Sequence, residues 1–332
     1  WASGKGHVNV LEWFKNSGYE FKYDEDTIND ASECGHINVL EWFKNSEYEF
    51  KYNENAINYA SLNGHVNILE WWLNLCKNSE YEFKYDEDAI NWASGNGHIN
   101  VLEWWLKNSE YEFNYDIDAI TNASGNGHVN VLEWFLNNKV LQYSDRSLIN
   151  ASKNGHVNIL EWWWNLHKSS DNGKLCDVIY KEIVNYQEDM IREVCINGHT
   201  DVLEWWVILC KKMGYELLYC NYMINLASES GHIDMLEWFK NSDYEFNYDS
   251  NAINNTCYYG HIDVLEWFKN SGYEFKYDGA AIVNASGKGR IDVLEWLKEN
   301  EYLTYDLVCE LEYAISIATK DAYDWFETNE YI

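Results

Sequence analysis

Three residue types recur in this sequence at spacings that could support chemistry. Histidine follows glycine at His7, His36, His65, His98, His128, His156, His199, His232 and His261. Nine aligned imidazoles could bind metal or sense pH. Glutamate recurs five residues after the histidine, at Glu12, Glu41, Glu70, Glu103, Glu133, Glu161, Glu204, Glu237 and Glu266, and again at Glu295. An Asn or Asp stands three residues before each, as in Asn38/Glu41 and Asp263/Glu266, which could form a calcium ladder. Tryptophan follows the glutamate, and eleven of the eighteen tryptophans share this position, from Trp13 and Trp42 to Trp296 and Trp325. Such a column could stack flat ligands.

Each column also has a plainer reading. Packed helices lie about 8–10 Å apart, too far for successive imidazoles to share a zinc through bonds of about 2 Å. Arg290 takes the histidine position without disturbing the pattern. The histidines are therefore expected to anchor a turn between helices. Calcium needs about six to eight converging oxygens, and one carboxylate per helix ridge offers too few. The glutamates are expected to form a solvated face. The tryptophans, at helical spacing beside Val39 and Phe43, belong to an inter-repeat core or its rim. The runs Trp71-Trp72, Trp104-Trp105, Trp162-Trp163-Trp164 and Trp205-Trp206 cannot all point inward by this pattern, so exposed aromatic surface is expected there. No Ser/His/Asp arrangement, phosphate-cradling loop or nucleophile elbow occurs. The Gly-x-Gly at Gly95–Gly97 and Gly125–Gly127 reads as a helix end.

What must position these columns is a repeated unit. The histidine step is 29 residues from His7 to His36, and 29 again from His36 to His65. It lengthens to 33 between His65 and His98 and between His199 and His232, and to 43 between His156 and His199. A tenth copy contains Gly289-Arg290, and a degenerate eleventh passes through Asp321, Asp324, Trp325 and Phe326. Such self-similarity implies one array, residues 1–332, with an irregular insertion at 163–186. Within a unit, Asp24 is an N-cap and Tyr23 and Ile28 form a hydrophobic staple. Ile28, Ala31 and Ser32 share a face of a first helix that Gly35 ends. The same aromatic, cap and apolar spacing recurs at Tyr52/Asn53/Ile57 through Tyr277/Asp278/Ile282, while Tyr219/Cys220/Ile224 keeps the staple with a poor cap. A second helix runs from about Ile37 to Asn45. Tyr48, Phe50 and Tyr52 then alternate with charged residues in an extended connector with one buried side. One helix pair cannot bury its apolar face alone, so the expected fold is all-α, a helix-pair solenoid of about eleven repeats with short connectors.

The run Ala31-Ser32-x-x-Gly35-His36-x-x-Val39-Leu40 resembles the core of the ankyrin repeat, A-A-x-x-G-H-x-x-I/V-V. Gly18-Tyr19-Glu20-Phe21 resembles that family's G-A-D-V turn. The match covers nearly the whole chain and is weakest from Trp163 to Tyr186 and after Tyr305. The T-P-L-H signature is absent, replaced by sequences such as Asp88 to Asn91, and the shorter period implies truncated hairpin tips. The Leu-Glu-Trp-Phe/Trp-Lys wording resembles ankyrin-type proteins of giant viruses of amoebae, which would imply a host cytoplasm or a virion as location.

The chain has Lys+Arg 24 against Asp+Glu 55, a net charge of −31, and no proline. A field of that sign repels phosphate, so neither nucleic acid nor an anionic membrane surface is an expected partner. A basic protein partner is favoured. The eight cysteines share no repeat position and form no C-x-x-C, which suits reduced thiols in a reducing compartment. No cofactor, metal or small-molecule substrate is expected, and the chain reads as a binding protein, not an enzyme. The sequence starts within a repeat and stops where a connector would begin, so both ends are expected to continue in a longer protein.

The remaining signal lies where the repeat varies. In the ankyrin family the concave surface is built from connector tips and exposed first-helix positions. Carried onto this chain, that resemblance gives Tyr59, Leu62, Trp92, Asn96, Asn126, Asn154, Ile196, Leu226, Tyr258 and Tyr259 as partner-binding candidates. The four aromatics Tyr59, Trp92, Tyr258 and Tyr259 are the expected anchors. The expected function is a protein–protein interaction scaffold using the concave face. The alternatives are a structural component of a viral particle or fibre, and the substrate-recruiting arm of a ubiquitin-ligase adaptor whose other domain lies elsewhere.

Overall fold

In the computed structural model of the chain, the described residues are all except 109, 169–187, 215–216, 218–221, 304–307 and 332. They form helices joined by coil and contain no strand. After a 3-10 turn (Ser3–Lys5) come α1 (Val8–Ser17), α2 (Asp26–Glu33), α3 (Ile37–Lys44), α4 (Asn55–Leu62), α5 (Val66–Lys77) and α6 (Asp88–Gly95). Then follow α7 (Ile99–Lys107), α8 (Ile117–Gly125), α9 (Val129–Asn137), α10 (Asp145–Lys153) and α11 (Val157–Lys168). Helix α12 spans 188–197. The rest are α13 (Thr200–Met213), α14 (Tyr222–Glu229), α15 (Ile233–Asn241), α16 (Asn251–Tyr259), α17 (Ile262–Ser271), α18 (Ala280–Lys288), α19 (Ile291–Glu299), α20 (Val308–Ser316) and α21 (Lys320–Thr328). This is the helix-pair solenoid the periodicity implies. Of the irregular insertion expected at 163–186, Trp163 to Lys168 continue α11, and residues 169–187 lie outside the described residues. The Tyr219/Cys220 part of the poorly capped staple also lies outside them.

By contacts the chain divides into two compact units. One comprises Trp1–Ala151 and Asn158–Cys176, the other Ser152–Val157 and Asp177–Ile332. Both are made from the same pair of helices. Every described first helix except α20 ends where a glycine adopts a left-handed backbone, as at Gly64 (φ 74°) and Gly97 (φ 77°), and the second helix starts two residues later. A side chain with a Cβ is strained there.

The inward residues of each pair form a nearly solvent-free core. Ile28, Ala31, Val39 and Leu40 are each 0% exposed, and Ile57, Ala60, Ile68 and Leu69 repeat the pattern. Three polar ladders recur, the first within a repeat and the other two setting the register between neighbours. The carboxylate or amide oxygen of Asn53, Asp86, Asp116, Asp249 and Asp278 accepts from the N–H two residues on, as in Asp86 from Asp88 (3.0 Å) and Asp116 from Asp118 (2.8 Å), whereas α2 has no side-chain cap bond, so the expected cap at Asp24 is not formed. The same oxygens accept from a buried asparagine of the preceding first helix: Asn58 to Asp86 (2.7 Å), Asn91 to Asp116 (2.9 Å), Asn225 to Asp249 (2.8 Å) and Asn254 to Asp278 (2.9 Å). Asn91 is 2% exposed, so losing this partner would leave a buried amide unpaired, at about 1–3 kcal/mol. That is the work done by the Asp-Ala-Ile-Asn wording. In the third ladder, connector tyrosines donate to the next connector's backbone: Tyr23 to Glu49 O (2.6 Å), Tyr52 to Glu82 O (2.7 Å) and Tyr277 to Tyr302 O (2.9 Å). Burial pushes the Tyr52 phenol up to about 12, so it stays a donor across the physiological range.

Within each unit the first helices pack more closely on one another than the second helices do. A Cβ added at Gly95 in α6 would stand 3.0 Å from Cβ of Asn122 in α8. The first helices therefore make the inner, closer-spaced layer of each unit.

Candidate functional site

The histidines prove to be frame. Seven of the rings lie over the glycine of the preceding repeat: a Cβ at Gly64 would meet His98 Nδ1 at 2.8 Å, and one at Gly97 would meet His128 Nδ1 at 2.8 Å. The ring also reaches a backbone carbonyl, with His232 Nε2 2.8 Å from Ile196 O. Arg290 repeats the contact, its Nε donating to Tyr258 O (3.3 Å), and Thr319 lies over Gly289. Burial pushes the His98 imidazole below its ordinary range, against a weaker opposite effect from its bond to Leu62. The glycine thus serves two purposes, the left-handed turn and room for the next repeat's side chain.

The glutamates are not simply a solvated face. Trp42 Nε1 donates to Glu12 and Trp71 Nε1 to Glu41, each at 2.5 Å. Trp267 donates to Glu237, Trp296 to Glu266 and Trp325 to Glu295, each at 2.6 Å. Each pair joins successive second helices and is separated by 30 residues. Among the described residues no such bond joins the pairs spaced otherwise, such as Glu70/Trp104 and Glu204/Trp238. The glutamate does point away from its own helix's core, as the helical pattern implies. That outward edge is where the next repeat brings an indole N–H. A buried or half-buried donor there needs an acceptor.

The tryptophan runs expose less aromatic surface than expected: none of their rings is fully exposed, and Trp71, Trp162, Trp164 and Trp205 are half-buried. Trp72, Trp105, Trp163 and Trp206, the second residue of each run, are 0% exposed. They occupy the core position filled elsewhere by Phe43, Phe135, Phe239 and Phe268. Their larger rings reach the preceding repeat's first helix, where a serine accepts the indole proton: Trp72 to Ser32 (3.0 Å), Trp105 to Ser61 (3.3 Å), Trp163 to Ser124 (3.5 Å) and Trp206 to Ser152 (3.1 Å). Where the next repeat has Phe, the serine turns back to its own helix, as Ser94 to Ile90 O and Ser228 to Ile224 O, both 2.7 Å. Cysteine takes the serine position only at Cys195 and Cys257, ahead of Phe239 and Leu297. Burial pushes both thiols up to about 12, which makes them inert packing groups. The first tryptophans of the runs are half-buried or buried, with Trp104 7% exposed.

The candidate contact residues fall on first helices or at their ends. In the first unit, Tyr59 of α4 and Trp92 of α6 stack with ring centroids 5.6 Å apart and planes at 16°. Leu62 is half-buried, and its carbonyl accepts from Asn96 Nδ2 (3.0 Å). Asn126 Nδ2 donates to Gly95 O (2.6 Å). Two expected contact residues, Asn96 and Asn126, therefore spend their amide protons on the preceding repeat. In the second unit, Asn154 is exposed, while Ile196 and Leu226 are half-buried. Tyr258 and Tyr259 meet edge-on at 4.9 Å, and the Lys288 ammonium sits 4.4 Å from the Tyr258 ring centroid. Tyr259 is 45% exposed, and the Glu229 carboxylate beside it holds its phenol above the ordinary range. The structure thus joins the four expected aromatics into two clusters, one in each unit, and does not bring the other six candidates into them.

Among the described residues no group of three or more His, Cys, Asp or Glu side chains is placed to hold a metal ion, and no helix is long and apolar enough to cross a membrane. No protein-family model matches the chain, and no curated protein matches it. Among solved structures it is similar to the crystal structure of the pentatricopeptide repeat protein PPR10 from maize, at 15% sequence identity and a TM-score of 0.35. The match covers 98% of this chain and 52% of that protein, so the chain spans about half its length.

Proposed function

We propose that this chain is a protein-binding scaffold of ankyrin type that contacts its partner through the inner layer of first helices. The observation that carries the reading is the division of labour among side chains. The His, Glu, Ser, Asn and connector Tyr columns are spent holding one repeat to the next. The aromatics that break the repeat, Tyr59/Trp92 and Tyr258/Tyr259, cluster on first helices at positions the frame does not specify. Rigid aromatic clusters supply large contact area at low entropic cost. A net charge of −31 favours a basic protein over nucleic acid. The Ala-Ser-x-x-Gly-His run and the histidine seated on the preceding glycine support the ankyrin-type reading of the unit. No reaction is assigned to it.

A photo-crosslinking residue placed at 59, 92, 258 or 259, and for comparison at outer position Leu106, tests this in lysate of the organism that encodes the chain. The expected result is a discrete protein adduct from the inner positions only. Equal adducts from position 106, or none from the inner four, would overturn the assignment of the contact surface.

A further inference from the structure

The 33-residue step from His199 to His232 makes α13 the longest of the second helices described, fourteen residues from Thr200 to Met213. The nine-residue α15 packs beside it. Four or five extra residues add about 6–7.5 Å of helix at 1.5 Å each. The Trp–Glu lock is lost at this step: Trp238 stands 34 residues after Glu204, and no hydrogen bond joins them. One step later, with 30 residues between them, Glu237 holds Trp267 at 2.6 Å. The opened step leaves a groove of about 1360 Å³ on the second-helix side of this unit.

The groove walls are two helix faces. Asp201, Glu204 and Ile208 lie along α13 at spacings of three and four, and Asp234, Glu237 and Asn241 lie along α15 in the same way, with Trp238 beside them. Asp243 and Glu245 of the following connector also line it, and Lys211 is the only basic residue among the described residues that do. The floor is apolar. Val207 is 9% exposed, the Trp238 ring is half-buried against Tyr244 at 6.0 Å, and Ile208 stands 52% exposed on the rim. Ligand clefts for small molecules hold about 300–1,000 Å³. This one is larger, open and lined along its length by carboxylates.

We infer that the groove between α13 and α15 docks a basic segment of a partner protein that lays one or more aliphatic side chains against Val207, Ile208 and Trp238. Charge complementarity selects this occupant. A second copy of this chain, or a nucleic acid, would bring more negative charge to a wall that already has six carboxylates. The groove lies on the layer opposite to the first-helix aromatics, so it would be a second docking surface independent of the one proposed above.

The test uses the whole chain and a fluorescein-labelled amphipathic peptide of lysine and leucine, followed by anisotropy. The same peptide with glutamate for every lysine is the charge control. Two variants each remove four outer carboxylates. One combines Asp201→Asn, Glu204→Gln, Asp234→Asn and Asp243→Asn, which leaves the Glu237 lock intact. The other combines Glu70→Gln, Glu103→Gln, Glu133→Gln and Glu161→Gln on exposed second-helix positions of the other unit. The expected result is binding of the lysine peptide only, weakened about tenfold or more by the first variant and less than about twofold by the second. Ile208→Ser should weaken it about threefold or more. Tyr258→Ala with Tyr259→Ala should leave it unchanged, which separates this proposal from the inner-face reading. Equal weakening by both quadruple variants would show diffuse attraction to an acidic surface and overturn the proposal. So would no binding of the lysine peptide, or no effect of Ile208→Ser.

Discussion

The second unit contains the same residues in two arrangements. From α15 to α21 the repeats step evenly, and Glu237, Glu266 and Glu295 each hold the next tryptophan. Between α13 and α15 the step is four residues longer, and Glu204 and Trp238 line a groove instead. Glutamate and tryptophan are thus a lock at one spacing and part of the proposed docking surface at another. The difference teaches that in this array a residue's role is set by the distance to its partner in the neighbouring repeat, more than by its own helix.

The largest effect should separate core from groove rim. Phe268→Ala removes a ring that is 0% exposed and should cost about 3–5 kcal/mol in chemical denaturation, whereas Ile208→Ala, at 52% exposure, should stay within about 0.5 kcal/mol. Comparable losses at both sites would mean that the long step is packed as tightly as its neighbours.

Next is the lock itself. Glu266→Gln should destabilise by about 1 kcal/mol, because the buried Trp296 indole loses a charged acceptor, and Glu204→Gln should cost close to nothing. If Glu204→Gln costs as much as Glu266→Gln, the dependence on spacing is wrong. The first unit offers the same comparison at the core: a double-mutant cycle of Ser32→Ala with Trp72→Phe should show a coupling of about 0.5–1.5 kcal/mol. No such coupling is expected for Ser94→Ala with Phe135→Leu, since Ser94 bonds its own helix.

The smallest effect is one of pH. His98 titrates below its ordinary range when folded, because burial disfavours the imidazolium. The unfolded chain therefore takes up that proton first, and stability should fall as pH drops below about 6.5. Thermal melts of the wild type and His98→Gln should diverge in that direction between pH 7.5 and 5.5. Parallel curves would remove His98 from the account.

Local features were legible in the sequence because they depend on neighbours a few residues away. The N-caps, the glycine turns and the inward faces of both helices all follow from spacings of two to four residues. The histidine role was also legible, since Arg290 in the same position argues against metal chemistry. The Trp–Glu lock was not read because its partners are 30 residues apart and the helical pattern of one segment points the glutamate outward. A signal existed: the glutamate and the next tryptophan keep one spacing in the even steps. The tryptophan runs were misread for a related reason. One helix face cannot accommodate both rings, but the neighbouring first helix offers Ser32, Ser61, Ser124 or Ser152 to the second. Alternation of serine with Cys195 and Cys257 at that position was the available clue. The aromatic clusters were found as variable positions, yet Asn96 and Asn126 beside them hold backbone carbonyls of the preceding repeat, which only the packing of two repeats reveals.

The most direct test of the spacing rule is an NMR measurement on the protein labelled with ¹⁵N at the tryptophan indoles. The Nε1 protons of Trp267, Trp296 and Trp325 should be slow to exchange with solvent and should shift as the carboxylates are titrated, whereas that of Trp238 should exchange fast. Equal protection of Trp238 and Trp267 would contradict the claim that a four-residue change in step converts a lock into a groove.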